Sequence, residues 1–142
     1  WSLACREAFL SLPKSVRLLY AHAYVDRLWN LGATERIARH GQVPVPGDHV
    51  RDGTAALPLA TRALRSGETG DGFTIFDVLL PRPGENGELP DNSIGALMRS
   101  YLTYDRLDPL HLCLEATIGP PHTLRSTERS VVSRPRRLRW SK

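Results

Sequence analysis

The sequence has few cysteines and no long apolar run. Cys5 and Cys113 are the only cysteines among 142 residues, which excludes a disulfide framework and favours buried free thiols in a reducing, intracellular compartment. No run approaches the roughly 20 apolar residues that a membrane-spanning helix needs, so we expect no membrane partner. The N-terminal residues carry Arg6 and Glu7 early and lack the basic-then-apolar layout of a signal peptide. The nucleus, cytoplasm and mitochondrion are not distinguished.

The local motifs of common active sites are also absent from the sequence. It contains no Gly-rich phosphate loop, no Gly-x-Ser-x-Gly and no His-Glu-x-x-His. The five histidines show no metal-ligand spacing, so we predict no metal site. Asp77 lies within an apolar run, where a carboxylate could serve acid–base chemistry, although an aspartate that pairs with an arginine or caps a turn is the commoner case. We therefore assign no catalytic residue.

Arginine is what the sequence has in excess. Lysine accounts for only two of the 19 basic residues, at Lys14 and Lys142. The formal net charge is only +4, but the segment 125–142 is rich in cations and has Glu128 as its single acid. Arginine binds phosphate through paired hydrogen bonds and stacks on bases, so this segment is a candidate nucleic-acid contact. A solvated charged edge and an arginine bias inherited from base composition are the alternatives.

The residue pattern predicts one α/β (α+β-like) domain with a central long helix packed on a small sheet. The helix starts near Ser11 and Pro13 and stops at Gly41. It carries two apolar stripes, one through Tyr20 and Leu28 and another through Val25 and Trp29, which predict burial on two sides. The other expected elements are a strand from 49, loop over 51–72, a strand over 73–81, helices over 94–103 and 108–117, and an extended segment over 129–140.

Several segments, in order along the chain, resemble the TruD family of pseudouridine synthases in its eukaryotic-type branch. RLLYAHAYVDRLWN (17–30) resembles the family's Arg-x-x-Tyr-x-His-x-Tyr-x-x-x-x-Trp-Asn helix, and VPGD (45–48) resembles the turn that follows it. FTIFDVLLPRPG (73–84) is similar to the family's Ile-x-Asp-Val-Val-x-Pro-x-Pro-Gly segment. LRSTERSVVSRPRRLRW (124–140) resembles a Leu-x-Gly-x-Tyr-Arg-x-x-x-x-Arg-Pro-x-x-x-x-Trp pattern, with Ser126 and Glu128 in place of the glycine and the tyrosine.

The resemblance implies a TRUD-type insertion domain over residues 1–142, with 129–142 re-entering a catalytic domain that the chain lacks. Family members isomerise uridine to pseudouridine with an aspartate that typically follows a lysine, and they are expected to need no cofactor. This chain contains no Lys-Asp pair and no Asn-x-x-Gly-x-Gln-Arg-Phe-Gly stretch. No catalytic residue is therefore carried over, and we expect the chain alone to be inactive.

These observations predict the RNA-binding portion of a TruD-type pseudouridine synthase. Its partners would be tRNA or another structured RNA and the catalytic domain of the same protein. The alternatives are a non-catalytic RNA-binding or ribosome-assembly protein built on the same domain, and a protein-interaction module. We expect His22 and Trp29 to be mostly buried and to serve packing. The candidate RNA contacts are Lys14, Arg17, Arg27, Asn30, Arg129, Arg134, Arg136 and Arg137.

Overall fold

The computed structural model describes residues 2–51, 61–68, 72–85, 87–105, 107, 124 and 126–134. Within these ranges the chain forms three helices and four strands, which confirms the expected α/β class. The helices are α1 (Leu3–Ser11), α2 (Lys14–His40) and α3 (Ser93–Tyr104). The strands are β1 (His49–Arg51), β2 (Thr61–Ala63), β3 (Val78–Arg82) and β4 (Thr127–Ser130).

The four strands form one antiparallel sheet in the order β2-β1-β3-β4. Strand β3 is buried along its whole length, as its apolar sequence suggests. Alternate residues of a strand point to opposite faces of a sheet. Leu80 packs with Ile94 and Met98 of α3, so one face of β3 is covered by helices. Leu79 and Pro81 lie on the other face.

Helix α2 has the bounds that the sequence predicts, but it buries one face rather than two. It starts directly after Pro13 and ends at Gly41, whose φ is +58°. Ala21, Val25, Leu28, Gly32 and Arg36 form its buried stripe. Tyr20, at 60% exposure, does not belong to a buried stripe, so the prediction of burial on two sides is wrong. Within the described ranges, the sheet and α3 both lie against the same side of α2.

Helix α3 packs closely on α2 because small residues allow the approach. A Cβ added at Gly32 would lie 3.0 Å from the Met98 sulfur and 3.1 Å from the Leu80 side chain. The start of α3 is fixed by Asn92, whose side-chain oxygen accepts hydrogen bonds from the backbone N–H groups of Ile94 and Gly95. This is the usual chemistry of an N-cap. The two helices and β3 therefore form a tightly packed core.

The strand expected over 73–81 starts later than the sequence suggests. Residues 74–77 form a turn in which the Asp77 carboxylate accepts hydrogen bonds from the N–H and the hydroxyl of Thr74, at 2.8 and 2.7 Å. The turn-capping interpretation of Asp77 is thus confirmed. An extended run cannot form where a side chain competes for the backbone donors.

Three other boundaries differ from the sequence predictions or cannot be compared. Helix α1 was not expected, and none of its residues is buried, so the expectation of a buried thiol is wrong for Cys5. The expected loop over 51–72 contains β2. The expected extended segment over 129–140 bends after Ser130. Residues 135–140 and the helix expected over 108–117 lie outside the described residues. No helix of the described ranges is long and apolar enough to cross a membrane.

Candidate nucleic-acid interface

Charged side chains from three elements meet where α2 lies against β3 and β4. The Arg82 guanidinium of β3 has Nη2 2.9 Å from His22 Nδ1 and Nη1 3.4 Å from Asp26 Oδ1. Arg129 of β4 places its Nη1 3.1 Å from the same Asp26 oxygen. His22 and Asp26 are four residues apart on α2 and therefore share one side of the helix. We call His22, Asp26, Trp29, Arg82 and Arg129 the arginine cluster.

The arginine cluster has more positive than negative charge. Two guanidinium groups share the single carboxylate of Asp26, and the Arg82 side chain is only 10% exposed. The Nε of Arg82 is buried, and no group in the described part of the chain accepts a hydrogen bond from it. Leaving a buried donor unpaired costs about 1–3 kcal/mol or more for a charged group. The positive charge of the cluster that solvent can reach lies on Arg129, whose side chain is 44% exposed.

The hydrogen bond between Arg82 and His22 links β3 to α2. A guanidinium carries donors only, so His22 Nδ1 accepts the hydrogen bond from Arg82 Nη2 at 2.9 Å. His22 is partly buried, which agrees with the expectation that it serves packing.

Trp29 connects the helix to the sheet and supports Arg129. Its indole N–H donates to the Leu80 carbonyl oxygen of β3 at 2.8 Å. The Arg129 guanidinium lies 5.9 Å from the centroid of the Trp29 ring, within cation–π distance. Trp29 is partly buried, as expected for a packing residue. The indole therefore holds Arg129 against the helix while 44% of the arginine side chain stays exposed.

Among the predicted RNA contacts that the structure describes, only Arg129 belongs to the arginine cluster. Arg27 and Asn30 are exposed on the side of α2 that faces away from the sheet, and Lys14 is exposed at the first residue of that helix. Arg17 is partly buried. Arg134 is exposed and lies 4.4 Å from the centroid of the Phe76 ring. Arg136 and Arg137 lie outside the described residues.

Sequence reasoning missed Arg82 and Asp26. Arg82 lies between two prolines at the end of a fully buried strand. An arginine in an apolar run is itself a signal, because a buried charge is retained only when it is paired. Asp26 has no comparable signal, since it is one polar residue among many on a long helix. Its partner comes from a residue 56 positions later in the chain.

Comparison with curated proteins finds pseudouridine synthases. The chain is 31% identical over 133 residues to the Pseudouridylate synthase 7 homolog of Bos taurus. It is 30% identical over 128 residues to the Multisubstrate pseudouridine synthase 7 of Schizosaccharomyces pombe. These alignments cover 94% and 74% of the chain but 19% of each relative, so the chain spans about a fifth of the length of the curated relatives it matches.

A shorter alignment matches a further pseudouridine synthase. The chain is 44% identical over 54 residues to the Probable tRNA pseudouridine synthase D of Methanopyrus kandleri, and this match covers 37% of the chain. No family model matches the chain.

Proposed function

Because the chain belongs to the TruD family of pseudouridine synthases, we propose that it is the RNA-binding portion of such an enzyme. The enzyme isomerises uridine in tRNA or another structured RNA, and its catalytic aspartate lies outside this chain. Two facts support the assignment of the catalytic aspartate to another part of the protein. The chain contains no Lys-Asp pair, and it corresponds to about a fifth of its relatives' length. The chain contributes affinity and orientation rather than the reacting carboxylate.

The observation that carries the proposal is the sharing of Asp26 by Arg82 and Arg129. One carboxylate cannot neutralise two guanidinium groups, and 44% of the Arg129 side chain is exposed. A phosphate of the RNA backbone that binds Arg129 supplies the missing negative charge. Arginine is suited to this because its fixed fork of donors matches the geometry of phosphate oxygens.

The Trp29–Arg129 pair adds a surface for a base. Single-stranded RNA is recognised by stacking its bases on aromatic rings or on the plane of a guanidinium. The Arg129 guanidinium lies over the Trp29 ring, 5.9 Å from its centroid, and the side chain is still 44% exposed. A base can therefore stack on Arg129 while the adjacent phosphate binds between Arg129 and Arg82.

The test measures RNA affinity against salt concentration for the full-length protein that contains this chain. In the Arg129→Ala variant the slope of log affinity against log salt should fall by about 0.7–0.9, because one phosphate is no longer neutralised by the protein. Arg39→Ala is the matched control, because Arg39 is similarly exposed on α2 and is paired with Glu35 at 2.9 Å. The control slope should equal that of the wild type.

Two results would contradict the proposal. An unchanged slope in Arg129→Ala would show that this arginine serves folding or domain docking only. RNA that the full-length protein binds but never converts to pseudouridine would favour the non-catalytic RNA-binding alternative.

A further inference from the structure

The face of the sheet opposite to the helices contains a second polar site. His49, Pro81 and Glu128 belong to three adjacent strands, and their register places them on one face. With Glu88 and Ser126 they line an open depression of about 350 Å³. We call it the far-face depression. Its volume falls near the lower end of the range for small-ligand pockets, so it can hold a group of about the size of one nucleoside.

A histidine–glutamate pair forms the floor of the far-face depression. His49 Nδ1 lies 2.7 Å from Glu128 Oε1, and the two side chains are 14% and 25% exposed. Burial alone would raise the pKa of Glu128, but the hydrogen bonds from His49 and Thr61 outweigh it and hold that pKa below its usual value. Glu128 is therefore a carboxylate at neutral pH, in a fixed position.

The far-face depression is rich in acceptors and not in free positive charge. Arg62 reaches it, but its guanidinium donates to Glu68 at 2.7 Å. Glu88 is exposed, and no ion pair joins it to any residue that the structure describes. Carboxylate and hydroxyl oxygens attract groups that donate hydrogen bonds and repel phosphate. This chemistry is the opposite of that in the arginine cluster.

We propose that the far-face depression binds a ribose of the RNA through its 2′-hydroxyl, which donates a hydrogen bond to the carboxylate of Glu88 or Glu128. The 2′-hydroxyl is the donor that RNA has and DNA lacks, so this site selects RNA over DNA. The inference rests on the proposed function, since it adds a second contact to the same RNA. It assigns sugar recognition to one face of the sheet and phosphate recognition to the other.

The position of β4 allows one RNA strand to reach both sites. In the described part of the sheet β4 is an edge strand. Arg129 and Glu128 are consecutive residues on it, and their side chains point to opposite faces. Neighbouring Cα atoms are about 3.8 Å apart, so an RNA strand crossing this edge meets the arginine cluster and the far-face depression within neighbouring nucleotides.

The polar lining belongs to this chain rather than to the pattern that it resembles. Ser126 and Glu128 stand where the pattern has glycine and tyrosine. Ser126 donates to the Arg82 carbonyl oxygen at 2.9 Å, which ties the lining to the strand that carries the arginine cluster. Two polar groups of the lining therefore differ from the pattern that this segment resembles.

The experiment compares the affinity of the full-length protein for RNA, DNA and 2′-O-methyl RNA of one sequence at fixed salt. Glu88→Gln and Glu128→Gln should each reduce the preference for RNA, by about tenfold at the carboxylate that accepts the hydrogen bond and by less at its neighbour, because a neutral amide oxygen is a weaker acceptor than a carboxylate. DNA affinity should change less than twofold, because the phosphate contacts remain. Glu88 is exposed, so Glu88→Gln tests the site even if Glu128→Gln weakens folding.

Glu35→Gln is the matched control, because Glu35 is a surface carboxylate on α2 paired with Arg39. Its RNA preference should equal that of the wild type. Equal losses of RNA and DNA affinity in Glu88→Gln, or an unchanged RNA preference, would overturn the ribose site and leave the proposed function standing. Failure of the wild-type protein to bind RNA at all would instead refute the proposed function.

Discussion

Arg36 and Asp48 form a buried, two-point ion pair between α2 and the turn that follows it. Arg36 Nη2 lies 2.7 Å and Nε 3.1 Å from the two carboxylate oxygens, and the side chains are 1% and 4% exposed. Asp48 also accepts hydrogen bonds from the Val45 N–H and from the Asn92 side chain. Because Asn92 caps α3, this pair connects α2, the 41–48 turn and the start of α3.

Removing one partner of this pair should destabilise the protein strongly. Arg36→Met leaves a buried carboxylate without its cation, and we expect a loss of about 3–5 kcal/mol in the free energy of unfolding. Equilibrium urea unfolding measures it. The double variant Arg36→Met with Asp48→Leu should lose less than the sum of the two single variants, since neither charge is left alone. A single-variant loss below about 1 kcal/mol would show that the pair is not structural.

Gly47 is required by its surroundings as well as by its backbone angle. Its φ is +82°, and a Cβ there would overlap the backbone carbonyl oxygen of Asp91. Gly47→Ala should therefore cost more than the roughly 1–3 kcal/mol of backbone strain alone. Gly41→Ala is the control, because Gly41 also has a positive φ but has nothing within 4 Å of an added Cβ. Equal losses in the two variants would exclude the steric contribution at Gly47.

Trp29 should contribute through both packing and its hydrogen bond to Leu80. Trp29→Phe keeps most of the ring but leaves the Leu80 carbonyl oxygen without its indole donor, and we expect a loss of about 1–3 kcal/mol in the free energy of unfolding. Trp29→Ala removes the ring as well and should cost about 3–5 kcal/mol. Denaturant unfolding of both variants separates the two contributions. If Trp29→Phe were as stable as the wild type, the hydrogen bond would not contribute to the free energy of unfolding.

The His49–Glu128 contact should make stability depend on pH in the acid range. The pKa of Glu128 is lower in the folded protein than its ordinary value of 4.5. The stabilisation is therefore fully present above pH 4.5 and is lost as pH falls through the lowered folded-state pKa. Unfolding free energies of the wild type and Glu128→Gln, measured from neutral pH downward, should converge in acid. A difference that stays constant down to about pH 3 would contradict the contribution of this carboxylate.

The 142-residue chain by itself should not form pseudouridine. The reason is that the chain contains no Lys-Asp pair, the motif in which the catalytic aspartate of the family is expected. Incubation with a uridine-containing tRNA transcript, followed by mass spectrometry after pseudouridine-specific derivatisation, provides the measurement. The full-length protein under the same conditions is the positive control. Conversion by the isolated chain would overturn the assignment of catalysis to another part of the protein.

Local chemistry allowed the sequence to predict two helices well and one strand only approximately. Pro13 and Gly41 enclose α2, and Asn92 followed by an apolar run marks the start of α3. The strand ending at Arg82 was expected too early, because the Thr74–Asp77 turn depends on a side-chain hydrogen bond that apolar patterning does not reveal. Local signals thus predict that an element is present, but competition for backbone donors determines the residue at which it starts.

The candidate site was predicted only where the sequence shows an unusual charge. The arginine-rich segment pointed to Arg129, which the structure places in the arginine cluster. Arg27 and Asn30 lie on the exposed side of α2, outside the arginine cluster, and their RNA contact stays a prediction, because the charge pattern says nothing about which helix face meets the sheet. The burial stripe of α2 was predicted wrongly for the same reason.

Ordered motifs, caps and apolar periodicity are local properties of the chain, so the family, the α/β class and the bounds of the long helix could be predicted from them. Which charges share a partner depends instead on how the elements pack. Arg82 and Asp26 are 56 positions apart, and His49 and Glu128 are 79 apart. Each pair forms only because packing α2 on β3, or aligning β1, β3 and β4, brings them within hydrogen-bond distance, and no local pattern encodes that.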